Sequence, residues 1–119
     1  MKLSQELKIM KVELKKKGKE EEEGTLEVRQ KYAGGNIINL GGGYRGLIGN
    51  GGYSPVAYIE LPENHPDVGK KYSKLEPEVN GGLTFGAGRV YGWDYGHAYN
   101  NGTPKEDVQN ALRYFKERE

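Results

Sequence analysis

Hydrophobic positions are sparse in this chain, and where they recur they mostly alternate with polar ones. Leu26 and Val28 alternate with Glu27 and Arg29, which predicts a strand over residues 25–32. Residues 36–40 and 44–48 are short apolar runs fenced by Gly34-Gly35, Gly41-Gly42-Gly43 and Gly49, so they predict strands joined by tight turns. Residues 56–61 continue the series, with Pro55 and Pro62 at the ends, where a missing amide donor does least harm. Strands are also expected over 79–85 and 89–94, linked by Gly86-Ala87-Gly88. Residues 63–77 carry no period and predict a surface loop able to cap a pocket.

Helical spacing is clear only near the end. Thr103 is an N-cap residue, Pro104 suits the first helical position, and Glu106 stands three residues after the cap. Val108, Ala111, Leu112 and Phe115 then line one face of a helix over 103–118. The first 24 residues carry two periods at once. Leu3, Leu7, Met10 and Leu14 form a helical stripe, whereas Met10, Val12 and Leu14 alternate with Lys11, Glu13 and Lys15. Gly18 ends either element and residues 19–24 are a charge run, so a charged arm or hairpin is preferred to a long helix. The expected fold is therefore α+β: one domain, 1–119, with an arm at 1–24, a Gly-rich antiparallel meander at 25–102 and a C-terminal amphipathic helix packed on one face.

Composition narrows the function classes. Only 34% of the residues are hydrophobic and the mean hydropathy is −0.86, so the core must draw heavily on aromatic rings, and an oligomer would relieve the shortage. The 18 basic and 17 acidic residues nearly cancel, which gives no reason to expect nucleic acid as the main partner. No apolar run approaches the roughly 20 residues of a membrane span, and cysteine is absent, so a cytoplasmic protein without disulfides or a thiolate metal site is expected.

Candidate chemistry gathers in residues 79–101, which hold Gly81-Gly82, five aromatics and the single Trp. Asp94 and His97, with His65 and Asp67 upstream, have the donor types of an acid-base pair or a metal site, or else of turn-stabilising groups. Ser4, Ser54 and Ser73 lack a nucleophile-elbow context, and Gly41-Gly42-Gly43-Tyr44-Arg45 lacks the G-K-[ST] ending of a phosphate loop. A binding role asks less. Phe85, Tyr91, Trp93, Tyr95 and Tyr99 offer flat faces, Arg45, Arg89, Arg113 and Arg118 offer donors, and Gly81 and Gly82 allow close approach. Tyr44, Tyr53 and Tyr58 would anchor a protein partner if the chain instead inhibits a host enzyme, as an anti-CRISPR does. A metal-dependent hydrolase would draw on His65, Asp94 and His97.

Asn80-Gly81-Gly82-Leu83-Thr84-Phe85, then Gly92-Trp93-Asp94-Tyr95-Gly96-His97, with His65-Pro66-Asp67-Val68-Gly69-Lys70 upstream, resembles a family of small phage and prophage proteins. Its members read His-Gly-Gly-Leu-Thr-Phe/Tyr and Gly-Phe/Trp-Asp-x-x-His-x-x-Asp. Here the leading His is Asn80 and the trailing Asp is Asn100. Within such proteins the chain is similar to the anti-Thoeris sponges of the first type. The resemblance implies a non-catalytic homo-oligomer, with no cofactor, that sequesters a small cyclic nucleotide signal of the cyclic ADP-ribose type. It implies Phe85 as the base-stacking face and Arg113 as a phosphate-binding helix arginine; read from the residues themselves, Gly81, Gly82, Trp93, Asp94, Tyr95 and His97 are expected to complete the pocket wall, with Asp94 and His97 holding its shape. A second arginine would be expected one turn on, but that position is Glu117, so Lys116 or Arg118 would have to serve.

Overall fold

The computed structural model describes residues 24–96 and 102–119; the arm or hairpin expected before residue 24, and His97, Tyr99 and Asn100, lie outside the described residues. Among the described residues five strands form one antiparallel sheet: β1 (Asn36–Gly41), β2 (Tyr44–Asn50), β3 (Pro55–Glu60), β4 (Phe85–Ala87) and β5 (Val90–Asp94). The turn from β1 to β2 is made by Gly41, Gly42 and Gly43 at φ 83°, 61° and 88°, a left-handed run that side-chain-bearing residues rarely sustain. The sheet order β1-β2-β3-β5-β4 departs from the simple meander expected, because β5 pairs with β3 and pushes β4 to the edge.

Side chains alternate across the sheet, so each strand serves two faces. Tyr44, Ala57, Ile59, Tyr91 and Trp93 point to one face, where α2 (Pro104–Glu117) packs Val108, Ala111, Leu112 and Phe115 against them. This is the helix expected from the sequence, and the Thr103 hydroxyl accepts the Glu106 amide at 3.2 Å as its N-cap. The four largest fully buried side chains among the described residues are Trp93, Tyr44, Tyr91 and Phe115, so aromatic rings are a major part of the interior.

The opposite face corrects the strand expected at 25–32, which is a helix, α1 (Leu26–Ala33). Two alternating apolar residues are too few to decide a period, and the ends decide instead. The Thr25 hydroxyl accepts the Val28 amide at 3.4 Å, and Gly34, at φ 68°, donates its amide to the Gln30 carbonyl. Tertiary contacts complete α1. Glu60, buried on β3, accepts the Leu26 amide at 3.2 Å, and Arg45 joins Glu60 at 2.8 Å to Glu27 at 2.6 Å. Leu26 then packs with Leu47 and Val90 as a second small core.

Two further expectations change. Residues 79–84 are not strand: Gly81 and Gly82 have φ of 71° and 76°, the Gly82 amide turns back to the Val79 carbonyl at 3.0 Å, and pairing starts only at Phe85. The 63–77 loop contains a short 3₁₀ turn, Tyr72–Lys74, and is more than a surface connection, because His65, Asp67, Leu75 and Pro77 are buried.

Ala33 closes α1 directly over β2. A Cβ on Gly49 would stand 2.6 Å from the Ala33 carbonyl oxygen and 2.8 Å from its Cβ, both too near for a flexible neighbour to relieve. Gly49→Ala is therefore expected to lower stability by about 1–3 kcal/mol through overpacking, measured as a shift in the urea midpoint at constant slope. An unchanged midpoint would mean that α1 does not rest on β2 in this way.

Candidate functional site

The motif segment is tied to the start of α2 by a buried polar network. The Asp107 carboxylate, in the first turn of α2, accepts the Tyr95 hydroxyl in a short hydrogen bond and the Asn80 amide at 3.2 Å. The Trp93 indole N–H donates to the Tyr95 oxygen at 3.1 Å, and the Asn80 side chain donates to the Asp94 carbonyl at 3.3 Å. Burial, together with the Asp107 charge, pushes the Tyr95 phenol well above its ordinary pKa. The anion sits at a helix N-terminus, where the macrodipole favours negative charge. Trp93 and Tyr95 thus act as core and scaffold, and their ring faces are turned inward.

Asp94 shapes the turn after β5, its carboxylate accepting the Gly96 amide at 3.0 Å and the Thr84 hydroxyl at 3.1 Å. Gly81 edges a cleft of about 440 Å³ with Glu78, Asn80, Gly102, Glu106, Asp107 and Asn110; Gly82 follows it in the turn. Arg113 lines a neighbouring cleft of about 230 Å³ with Glu76, Glu78, Asn110, Tyr114 and Glu117. Phe85 lies on the other face of the sheet, edge-on to Tyr58 at 5.6 Å, with the Arg29 guanidinium 4.7 Å from its ring centre. One chain therefore does not bring Phe85 to Arg113. His65 is likewise apart from Asp94, buried against Phe115 at 5.6 Å between ring centres. Among the described residues, no three His, Asp or Glu groups are placed to share a metal ion. Of the three tyrosines considered as anchors for a protein partner, Tyr44 is buried with its hydroxyl on Glu119 at 2.6 Å, Tyr58 packs on Phe85, and Tyr53 alone stands fully exposed.

A different group of residues converges at the β4 edge. Gly69, Lys70, Lys71, Tyr72 and Ser73 face Gly86, Ala87 and Gly88 across a cavity of about 390 Å³. This wall is held from below by Asp67. Its buried carboxylate receives Arg118 through two bonds, 2.6 and 3.0 Å, and Lys70 at 2.8 Å. The Tyr91 hydroxyl lies 2.7 Å from the Asp67 carbonyl and 2.6 Å from that of Lys70, and burial pushes its pKa up to about 12. His65 Nδ1 accepts the Asp67 amide at 3.0 Å, which leaves Nε2 to donate to the Phe115 carbonyl at 2.7 Å, so the ring is fixed between loop and helix. Lys70 and Lys71 are the charged residues of the cavity lining, and since Asp67 pairs with Lys70 from below, Lys71 leaves the cavity mouth net positive. By contrast, both clefts along α2 carry carboxylates.

Sequence reasoning read the loop as a possible pocket cap but did not single out Lys70, Lys71, Tyr72 or Ser73. The Lys70-Lys71-Tyr72-Ser73 run, which begins on the last residue of the His65–Lys70 motif, was the available signal. No known protein family, characterised protein or solved structure matches this chain.

The bonds from Arg118, and then from Lys70, hold the Asp67 carboxyl down at about 2, below its ordinary 3.8. A folded value below the unfolded one means stability that is present above about pH 4 and lost as pH falls through about 2. The difference corresponds to about 2 kcal/mol. In urea titrations from neutral pH down to pH 2, Asp67→Asn is expected to be less stable than wild type near neutrality, with the gap narrowing by about that amount at the acid end. A gap independent of pH would remove Asp67 as the titrating anchor.

Proposed function

We propose that the protein binds and sequesters a small phosphate-bearing nucleotide, without cleaving it, and that the cavity between residues 69–73 and 86–88 receives the ligand's anionic end. The net positive lining of that cavity carries the reading. Lysine binds phosphate as a point charge, Ser73 offers a hydroxyl, and glycine on the facing turn lets a ligand lie close to backbone. Tyr72, 41% exposed at the rim, gives a flat face for a base. A volume of about 390 Å³ is within the roughly 300–1,000 Å³ usual for small-molecule sites.

The same electrostatics bear on the carried-over residues. Arg113 shares its cleft with Glu76, Glu78 and Glu117, so a diphosphate entering there meets three carboxylates for one guanidinium. The resemblance to anti-Thoeris sponges supports a cyclic ADP-ribose type of ligand, and the basic cavity is where its phosphates are best received. A phage anti-defence role in an infected bacterium follows from the resemblance as part of the same proposal. No described helix is long and apolar enough to cross a membrane.

A sponge must outcompete a receptor, which asks for a dissociation constant of about nanomolar, near −12 kcal/mol. Calorimetry with a cyclic ADP-ribose isomer, followed by heat denaturation and chromatography of the released ligand, tests this directly. Stoichiometric binding with the ligand returned intact is expected. Lys71, which makes no ion pair among the described residues, can be reversed without touching the fold, so Lys71→Glu is expected to weaken binding at least about tenfold, or 1.4 kcal/mol, whereas Arg113→Glu changes it little. Absence of binding, or recovery of a cleaved product, would overturn the proposal.

A further inference from the structure

The basic cavity has a neighbour outside its own lining. Gly24 is buried against the 86–88 turn: a Cβ there would stand 3.0 Å from the Ala87 carbonyl oxygen and 3.1 Å from the Gly88 Cα. The Gly88 carbonyl in turn accepts the Gly69 amide at 3.0 Å, and Lys70 and Lys71 follow Gly69 on the opposite wall. Gly24, Gly88 and Gly69 thus bring three backbones together at the cavity. Immediately before Gly24 the sequence reads Lys19-Glu20-Glu21-Glu22-Glu23, which contains the longest run of like charge in the chain.

We infer that this acidic run, residues 20–23, docks at the mouth of the cavity in its own chain, its carboxylates meeting the Lys71 and Lys70 ammonium groups. Reach and charge both favour it. Four residues span at most about 14 Å when extended, and they start from Gly24, which rests on a residue of the cavity lining. Lys71 makes no ion pair among the described residues, and Lys70, bonded once to Asp67, is still 45% exposed with donors to spare. Other cations offer less. Arg45 and Arg89 are already taken up by Glu27 and Glu60, and Arg29 lies over the Phe85 and Tyr32 rings. The clefts along α2 carry carboxylates of their own, which repel the run.

A single exposed carboxylate–ammonium pair is weak. A tether of a few residues, however, holds the four carboxylates at an effective concentration of about millimolar or above, so the cavity is partly occupied before any ligand arrives. An incoming phosphate then has to displace them, which makes the run a built-in competitor that sets the working affinity. That competition rests on the ligand reading above; the contact itself does not.

Zero-length carbodiimide crosslinking tests the contact with no ligand present, because it joins a glutamate to a lysine only where the two touch. Peptide mass spectrometry of the monomeric product is expected to find residues 20–23 linked to Lys71 or Lys70. The yield is expected to fall several-fold in about 1 M salt, where the Debye length is about 3 Å. In calorimetry with a cyclic ADP-ribose isomer, the combined Glu20→Gln, Glu21→Gln, Glu22→Gln and Glu23→Gln variant is expected to bind at least about threefold tighter than wild type. Absence of the link, links formed only between chains, or a measurable affinity unmoved by the four glutamines would each overturn the inference. Failure of wild type and variant alike to bind the nucleotide strikes the ligand reading instead, and the crosslink then decides the contact by itself.

Discussion

One buried charge organises this molecule. Asp67 sits in a loop with no regular structure around it, yet it is among the least exposed residues in the fold. A carboxylate so buried is tolerable only when its oxygens are occupied, and Arg118 and Lys70 occupy them from two directions. The demand of that charge is what draws the end of α2 and the loop together. Tyr91 and His65 then use the same segment's backbone and the Phe115 carbonyl, so sheet, loop and helix meet at one point. Without it the loop would have few apolar contacts, Val68 and Leu75 chief among them, to hold it over the β4 edge.

The other end of α2 is secured by the same kind of interaction. Asp107 is buried and takes donors from Tyr95 and Asn80, so a second carboxylate fixes the motif segment as the first fixes the loop. Between the two anchors the helix lies on rings: Phe115 stacks on Tyr91 at 5.7 Å and meets His65 edge-on at 5.6 Å. Orientation comes from the polar ends and cohesion from the aromatic middle. Buried polar groups that are fully paired specify one arrangement more narrowly than apolar contact does.

The sequence carried α2 plainly, because Thr103, Pro104 and the 108–115 stripe are local signals that agree. The first three strands were legible for a similar reason, each being fenced by glycine or proline. α1 was not, since its only buried residue is Leu26 and, beside the local Thr25 cap, its first amide is received by Glu60, 34 residues away. The motif was misread as strand at 79–84 because two glycines can serve a bulge or a turn, and only the backbone angles decide. The candidate site was legible in part. Residue types for binding were evident, but Phe85 pairs across from Gly92, while Trp93 is one residue on and so faces the opposite side. Parity of that kind depends on register, which no spacing within the motif reveals. The basic cavity was hidden for another reason: Lys70 and Lys71 gain a role only when the distant 86–88 turn is brought opposite them.

Glycine is usually counted as contributing nothing to a core, and by that count this chain has too little to fill one. Three sheet positions show otherwise. Gly46 lies 3.2–3.3 Å, measured from where its Cβ would be, from Leu40 and Val108; Gly49 lies under Ala33; and the Tyr58 ring covers Gly92 at 2.5 Å on the same measure. At each, a neighbour occupies the volume that a side chain would have taken. Interior space is thus removed by letting elements approach, which needs less apolar mass than filling a wider gap. A chain with 34% hydrophobic residues can close a two-sided sheet on those terms, and its hydropathy understates how densely it packs.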